Sequence, residues 1–232
     1  MPSSLFHVMP HDTKPIIIGR RVQESISKPS TVPQRQKARS LLATYGILRL
    51  RDFTDIGVTA ATVGRMENDG EVVRLARGLY QLPEAELDAN HSLAEAAKRF
   101  PNCVICLVSA LAFHEITDQL PRSIWIAIGR NDWTPKPRDM QIRALRFSAQ
   151  LFSEGVETHT IEGVSVKVFG VAKTVADCFR HRGKIGLSTA IEGLQEALRQ
   201  RKATPGEIFR AAESGRVGTV MRPFLEALTA NG

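Results

Sequence analysis

Apolar residues at Ala38, Leu41, Leu42 and Tyr45 recur at helical spacing, and Gly46 can stop that helix. Over 47–82 the pattern then changes several times. An apolar strand is followed by a short helix, a glycine turn and a second helix. Two apolar strands come next, joined at Arg77-Gly78. That order predicts a helix-turn-helix with a β-hairpin wing over 34–83. The Pro-led stretch after it is polar, and 84–90 is predicted to be a linker.

From residue 91 a different rhythm takes over. A helix over 91–100 is broken by Pro101-Asn102, and the apolar run 103–108 predicts a buried strand followed by a helix at 109–116. Strands are predicted at 123–128, 142–147, 156–161 and 164–169, the last two joined at Gly163, with a loop over 130–139. Beyond residue 171 the spacing is helical: one helix over 172–182, another over 187–201 and a last one over 219–230. Between the last two, Thr204-Pro205-Gly206-Glu207 has the form of a capping box with Pro at the first helical position. The fold class predicted is α+β. It consists of an N-terminal winged helix-turn-helix and a mixed α/β C-terminal domain over 91–232.

Residues 1–33 hold Pro2, Pro10, Pro15, Pro29 and Pro33 among many Ser and Thr, which predicts a disordered or extended arm. The arm carries Lys14, Arg20, Arg21 and Lys28. A cationic arm can follow DNA phosphates, but a solvated tail is the simpler reading. The whole chain has 31 Lys and Arg against 24 Asp and Glu, a formal charge of +7, which suits a phosphate partner. Three cysteines make no disulfide framework and fit a reducing cytoplasm. No apolar run approaches the ~18 residues of a membrane span, and the first residues do not form a secretory signal.

The candidate chemistry sits on the second helix of the 47–82 segment. Thr59 has the side chain of an N-cap. Val63 and Met66, three apart, should face the core, and Ala61 and Arg65, four apart, should face outward. A first turn of Thr59, Ala60, Ala61 and Thr62 is small enough to approach base edges: Thr62 can bond a base or phosphate, and an alanine can touch a thymine methyl. Arg65 can fork onto a guanine or hold a phosphate. On the wing, Arg74 and Arg77 are candidates for backbone or minor-groove contact. Glu67, Asp69 and Glu71 fall at the far end of this helix. The run Thr62-Val63-Gly64-Arg65 resembles the recognition helix of catabolite-activator-type regulators. There, charged base readers precede the threonine; here those places are Ala60 and Ala61, which leaves more to DNA shape.

Other constellations suggest structural roles. Cys103 and Cys106 form a C-x-x-C inside an apolar run, and on a strand they would point to opposite faces, unlike a metal pair. His114 follows an apolar helix face and suits a packed histidine. Residues 170–174 miss the G-x-x-x-x-G-K-[ST] pattern of a phosphate loop. Asp177, Arg180, Arg182 and Lys184 are expected to form the polar face of a helix whose apolar side is Val175, Cys178 and Phe179. No nucleophile–base pair is visible, so neither an enzyme, a metal nor a cofactor is expected. A rival reading, an enzyme acting on nucleic acid through the C-terminal domain, would put Asp177 in a metal-binding cleft.

Three stretches together resemble the AbiEi family of antitoxin-type transcriptional regulators, the antitoxin half of type IV toxin–antitoxin systems tied to phage defence. They are Arg77-Gly78-Leu79-Tyr80-Gln81-Leu82-Pro83, then Ser109 to His114 with Gln119-Leu120-Pro121, and Ala172 to Arg180 continuing to Glu192. The resemblance implies an N-terminal winged helix, a C-terminal α/β domain and a repressor that binds repeats in its own promoter. It also implies a functional link to a nucleotidyltransferase-like toxin, usually without stable binding. A solitary winged-helix regulator is the alternative within the same resemblance. The long N-terminal arm departs from the family pattern, and the operator and oligomeric state are left open.

Overall fold

The computed structural model describes residues 32–86 and 88–230. The predicted arm lies outside the described residues apart from Val32 and Pro33. The fold is mixed α+β, with two separate sheets of three and five strands among the helices.

Helix α1 (Gln34–Tyr45) buries Ala38 and Leu42 and ends where the Gly46 N–H bonds back to the Leu42 carbonyl. Strand β1 (Leu48–Arg49), helices α2 (Leu50–Thr54) and α3 (Ala60–Asn68), and strands β2 (Val73–Ala76) and β3 (Leu79–Gln81) follow. The small sheet runs β1-β3-β2, all antiparallel. Phe53, Val58, Val63 and Met66 pack with Leu42 and Tyr80 in one core between the helices and one face of this sheet. Phe53 meets Tyr80 edge to face at 6.1 Å between ring centres. The β2–β3 hairpin is short: its turn stops level with α2, where the Leu50 N–H donates to the Gly78 carbonyl at 2.9 Å.

The larger half starts with α4 (His91–Arg99), β4 (Val104–Ile105), α5 (Leu107–Phe113), β5 (Ile124–Gly129), β6 (Ile142–Phe147) and α6 (Ala149–Ser153). It continues with β7 (Val156–Ile161), β8 (Val164–Phe169), α7 (Val171–Arg180), α8 (Arg182–Ile185), α9 (Leu187–Arg199), α10 (Pro205–Ser214) and α11 (Gly218–Thr229). The five-stranded sheet runs β6-β5-β4-β8-β7, with β5–β6 and β4–β8 parallel and the other pairs antiparallel. Strand alternation divides its side chains between two cores. On β5, Trp125 and Ala127 join Phe147, Phe169 and Phe179 in a core with the C-terminal helices. Ile126 and Ile128 join Ile105, Val164, Val166 and Val168 on the other face, under Leu93 and Ala94 of α4.

That second face also receives Ile47, just before β1, and Leu79 of β3, with Leu75 and Ala76 beside them. The hairpin is thus packed on both sides, by α3 and by the larger half. The joint is close at the other end too, where Gly46 and Gly163 stand back to back.

Three local expectations are corrected. The run 103–108 is not one strand. β4 ends at Ile105, Leu107 takes a positive φ of 46°, and α5 begins at once. The Ser109 hydroxyl turns back to accept the Trp125 N–H at 2.9 Å, so a side chain satisfies the strand group that the departing backbone abandons. The helix expected over 172–182 stops at Arg180, and α8 is a separate short turn. Asp177 is not on a polar face: it is 1% exposed, and the ammonium of Lys173 one turn earlier bonds to it. That ammonium lies 5.1 Å from the Phe147 ring centre and 4.6 Å from that of Phe169, so the pair is buried with compensation from two π faces.

Candidate nucleic-acid interface

Helix α3 starts at Thr59 because the residue is extended and its hydroxyl accepts the Thr62 N–H at 3.2 Å. Val63 and Met66 turn inward and are fully buried. Thr59, Ala60, Ala61 and Arg65 remain exposed on the opposite side. The helix tip therefore presents small side chains to solvent.

Thr62 is placed differently from its neighbours. It is 6% exposed, and its hydroxyl donates to the Gln34 side-chain carbonyl at 2.7 Å. The same Gln34 oxygen accepts from the Thr59 backbone N–H at 3.1 Å and its hydroxyl at 3.3 Å. Arg65 lies back along the helix, donating to the Thr62 hydroxyl and to the Ala61 carbonyl, each at 3.3 Å. Gln34, Thr62 and Arg65 are thus one chain of bonds tying the start of α1 to the exposed face of α3.

The acidic residues at the far end of α3 are occupied. Arg35 of α1 bonds Asp69 at 2.7 Å and also Glu71. Glu67 faces Arg74 of β2 at 3.8 Å. Arg74 pairs across the ladder with Tyr80, which belongs to the α3 side of the sheet, and its Nε donates to the Ala76 carbonyl at 3.3 Å. Arg77 is exposed at the hairpin turn, in a hollow it shares with Arg49, Arg99 and Phe100.

Several basic residues near this surface carried no sequence signal beyond a local pair, Arg49 and Arg51, at the head of α2. Arg49 donates to the Lys98 and Arg99 carbonyls and so closes the C-terminal end of α4. Asp52 accepts the Arg49 N–H at 2.8 Å and pairs with Lys98 at 3.1 Å. Partial burial pushes its carboxyl up, but those two donors outweigh it and hold the pKa below the usual carboxylate range. Cys103 and Cys106 are both buried free thiols, and they lie in the cores on opposite faces of the large sheet. Burial raises the Cys103 pKa to about 12, so it stays a neutral thiol.

The family described as "Transcriptional regulator, AbiEi antitoxin" matches residues 36–83, from α1 to the end of the hairpin. This segment is of the AbiEi type. The other two stretches of the resemblance, around Ser109 and Ala172, lie outside the matched residues. The AbiEi description is that of a regulator and antitoxin, and a regulator of transcription points to DNA. No match is found among curated proteins. Among solved structures, the RV2827C protein from Mycobacterium tuberculosis is similar in fold, with a TM-score of 0.54 and 14% identity, over 86% of this chain and 82% of that one. Among the described residues, no helix is long and apolar enough to cross a membrane.

Proposed function

We propose that the chain is a DNA-binding transcriptional repressor that acts as the antitoxin of a type IV toxin–antitoxin system and regulates its own operon. One observation carries the reading. The AbiEi-type segment coincides with the module whose α3 opens on exposed Thr59, Ala60 and Ala61. In this reading α1–β3, residues 34–83, is a winged helix-turn-helix, 84–90 is a linker, and 91–232 is the antitoxin-type domain.

Ala60 and Ala61 meet base edges, Thr59 meets a phosphate, and Arg65 swings from its resting bonds onto a guanine or phosphate. Thr62, being covered, acts through Arg65 instead of touching DNA itself. Arg74 and Arg77 hold the flanking backbone. The partner is duplex DNA carrying repeats from the chain's own promoter, in the cytoplasm. A nucleotidyltransferase-like toxin is its functional counterpart.

The test is titration of the full chain with duplex DNA from immediately upstream of its gene, against a random duplex of equal length and at matched salt. Preferential binding supports the repressor. Equal affinity for the two duplexes overturns sequence-specific regulation.

A further inference from the structure

Strand β7 is an edge of the five-stranded sheet. It pairs with β8 along its whole length and, among the described residues, with no strand on its other side. The register is unbroken from Val156 and Phe169 to Ile161 and Val164. Ile161 and Val164 flank the two-residue turn, so their N–H and C=O groups face each other. Alternation then turns the backbone groups of Glu157 and His159 toward β8 and those of Val156, Thr158 and Thr160 outward. Among the described residues no hydrogen bond reaches these outward groups.

The opposite edge of the sheet is guarded. β6 carries Arg143 and Arg146, and Arg146 donates to the Arg130 and Asp132 carbonyls of the preceding loop. Long cationic side chains of this kind keep an edge from pairing. β7 reads Val156-Glu157-Thr158-His159-Thr160-Ile161, with no lysine, arginine, proline or bulge. Glu157 and His159 share one face, where His159 Nε2 lies 3.2 Å from a Glu157 carboxylate oxygen. Phe113 holds the His159 ring there, with 4.8 Å between ring centres. Two copies of this edge can pair antiparallel about a two-fold axis so that their outward groups meet. Centred on Glu157, that pairing opposes two carboxylates; centred on His159, it opposes two imidazoles. Centred on Thr158, it sets Glu157 of each copy opposite His159 of the other, an acceptor against a donor. These become the non-hydrogen-bonded pairs, whose side chains lie closest. Thr158 then meets its own copy, and Val156 meets Thr160, through the outward backbone groups.

We propose that β7 is a self-association edge: a second copy of this chain adds its own β7 antiparallel about Thr158 and joins the two five-stranded sheets into one. The occupant is this chain itself, because the edge is complementary to its own copy in one register and repels it in the neighbouring two. The pairing holds whether or not α3 binds DNA. It places two copies of α3 on one two-fold particle.

The experiment is sedimentation equilibrium of the full chain over a range of concentrations, with Thr158→Pro, Thr158→Cys and Ser165→Cys variants. Wild type should move from the mass of one chain to that of two as concentration rises. Proline at position 158 spares the β8 ladder, because the N–H it removes points outward. It should raise the dimer dissociation constant about tenfold or more, for the two central hydrogen bonds lost, with unchanged thermal unfolding at dilutions where wild type is a monomer. With oxidised glutathione as electron acceptor, two Thr158→Cys thiols should give up their protons and two electrons and form an interchain disulfide. Ser165→Cys, exposed on the neighbouring strand, should not. The three native cysteines are buried, so the link reports position 158.

A wild type that stays monomeric at every concentration overturns the proposal. A dimer that Thr158→Pro leaves unchanged overturns it too, since another surface then holds the copies. A monomer whose Thr158 amide resists hydrogen exchange has its edge covered from within the same chain, which also excludes the second copy. If Thr158→Pro unfolds, a charge swap decides. His159→Glu should dissociate the dimer by opposing carboxylates, and Glu157→Lys/His159→Glu should restore it. A loss that the swap does not restore overturns the pairing about Thr158.

Discussion

Gly46 and Gly163 meet backbone to backbone where the end of α1 crosses the β7–β8 turn. A Cβ on Gly46 would stand 1.9 Å from the Glu162 carbonyl oxygen, and one on Gly163 would stand 2.7 Å from the Tyr45 carbonyl carbon. Both glycines also hold positive φ, 64° and 73°. Glu162 and Gly163 make the two-residue turn with both φ values positive that joins Ile161 to Val164. The close approach joins the AbiEi-type segment to the larger half.

Gly163→Ala should therefore cost about 1–3 kcal/mol from overpacking, with a further cost from the left-handed φ. Thermal unfolding checks this. The same substitution at Gly183, where an added Cβ would meet nothing within 4 Å, is the control and should change little.

The Thr62 hydroxyl oxygen accepts from the Arg65 guanidinium, so Thr62→Val should weaken specific DNA binding in the same direction as Arg65→Ala. Arg65→Ala should cost roughly 1–3 kcal/mol on the correct site if the residue reads a base. A double-mutant cycle measured by fluorescence anisotropy should show the two effects to be less than additive. Strict additivity would disconnect Thr62 from Arg65.

Arg77→Ala should lower affinity for all duplexes alike and flatten the salt slope by about 0.9, the signature of one phosphate contact. Binding isotherms at several salt concentrations check it. A loss confined to one sequence would make Arg77 a base reader instead.

Lys173→Met should destabilise the fold by about 3–5 kcal/mol, because it strands the buried Asp177 carboxylate without its cation. Asp177 already has one oxygen with no bonding partner. Replacing both residues by apolar side chains should recover much of that loss. Denaturant titration of the two variants decides it.

His181 sets an acid limb to stability. Burial, and then the nearby Arg180, Lys184 and Lys173 charges, lower its pKa to about 4. The unfolded chain takes up this proton near the ordinary value of about 6.5, before the folded one does. The contribution is therefore complete above that value and is lost as the pH falls through about 4. His181→Gln should flatten the pH dependence of the unfolding midpoint across this window.

Much of the element order was legible in the residues. The helix spacing of α1, the Thr59 cap, the inward Val63 and Met66, and the turn at Gly163 all follow from side chains within a few positions of one another. β7 and β8 begin and end at the expected residues for the same reason. The resemblance to AbiEi regulators likewise rested on contiguous motifs, and the first of these falls in the matched segment.

Long-range placement was not legible. The apolar run 103–108 could be one strand or a strand turning into a helix. In the folded chain it turns, and the Ser109 hydroxyl then meets the N–H of a strand residue 16 positions away. Asp177 looked solvated because periodicity cannot reveal that it is buried against Lys173, whose ammonium two aromatic rings flank.

By itself, then, the sequence determined local backbone form and the likeness of one segment to a regulator, because both depend on neighbours along the chain. Tertiary structure alone decided that Thr62 is covered by Gln34 and that the hairpin is packed on both sides. The reason is geometric: residues 28 positions apart share a surface only once the chain has folded back on itself.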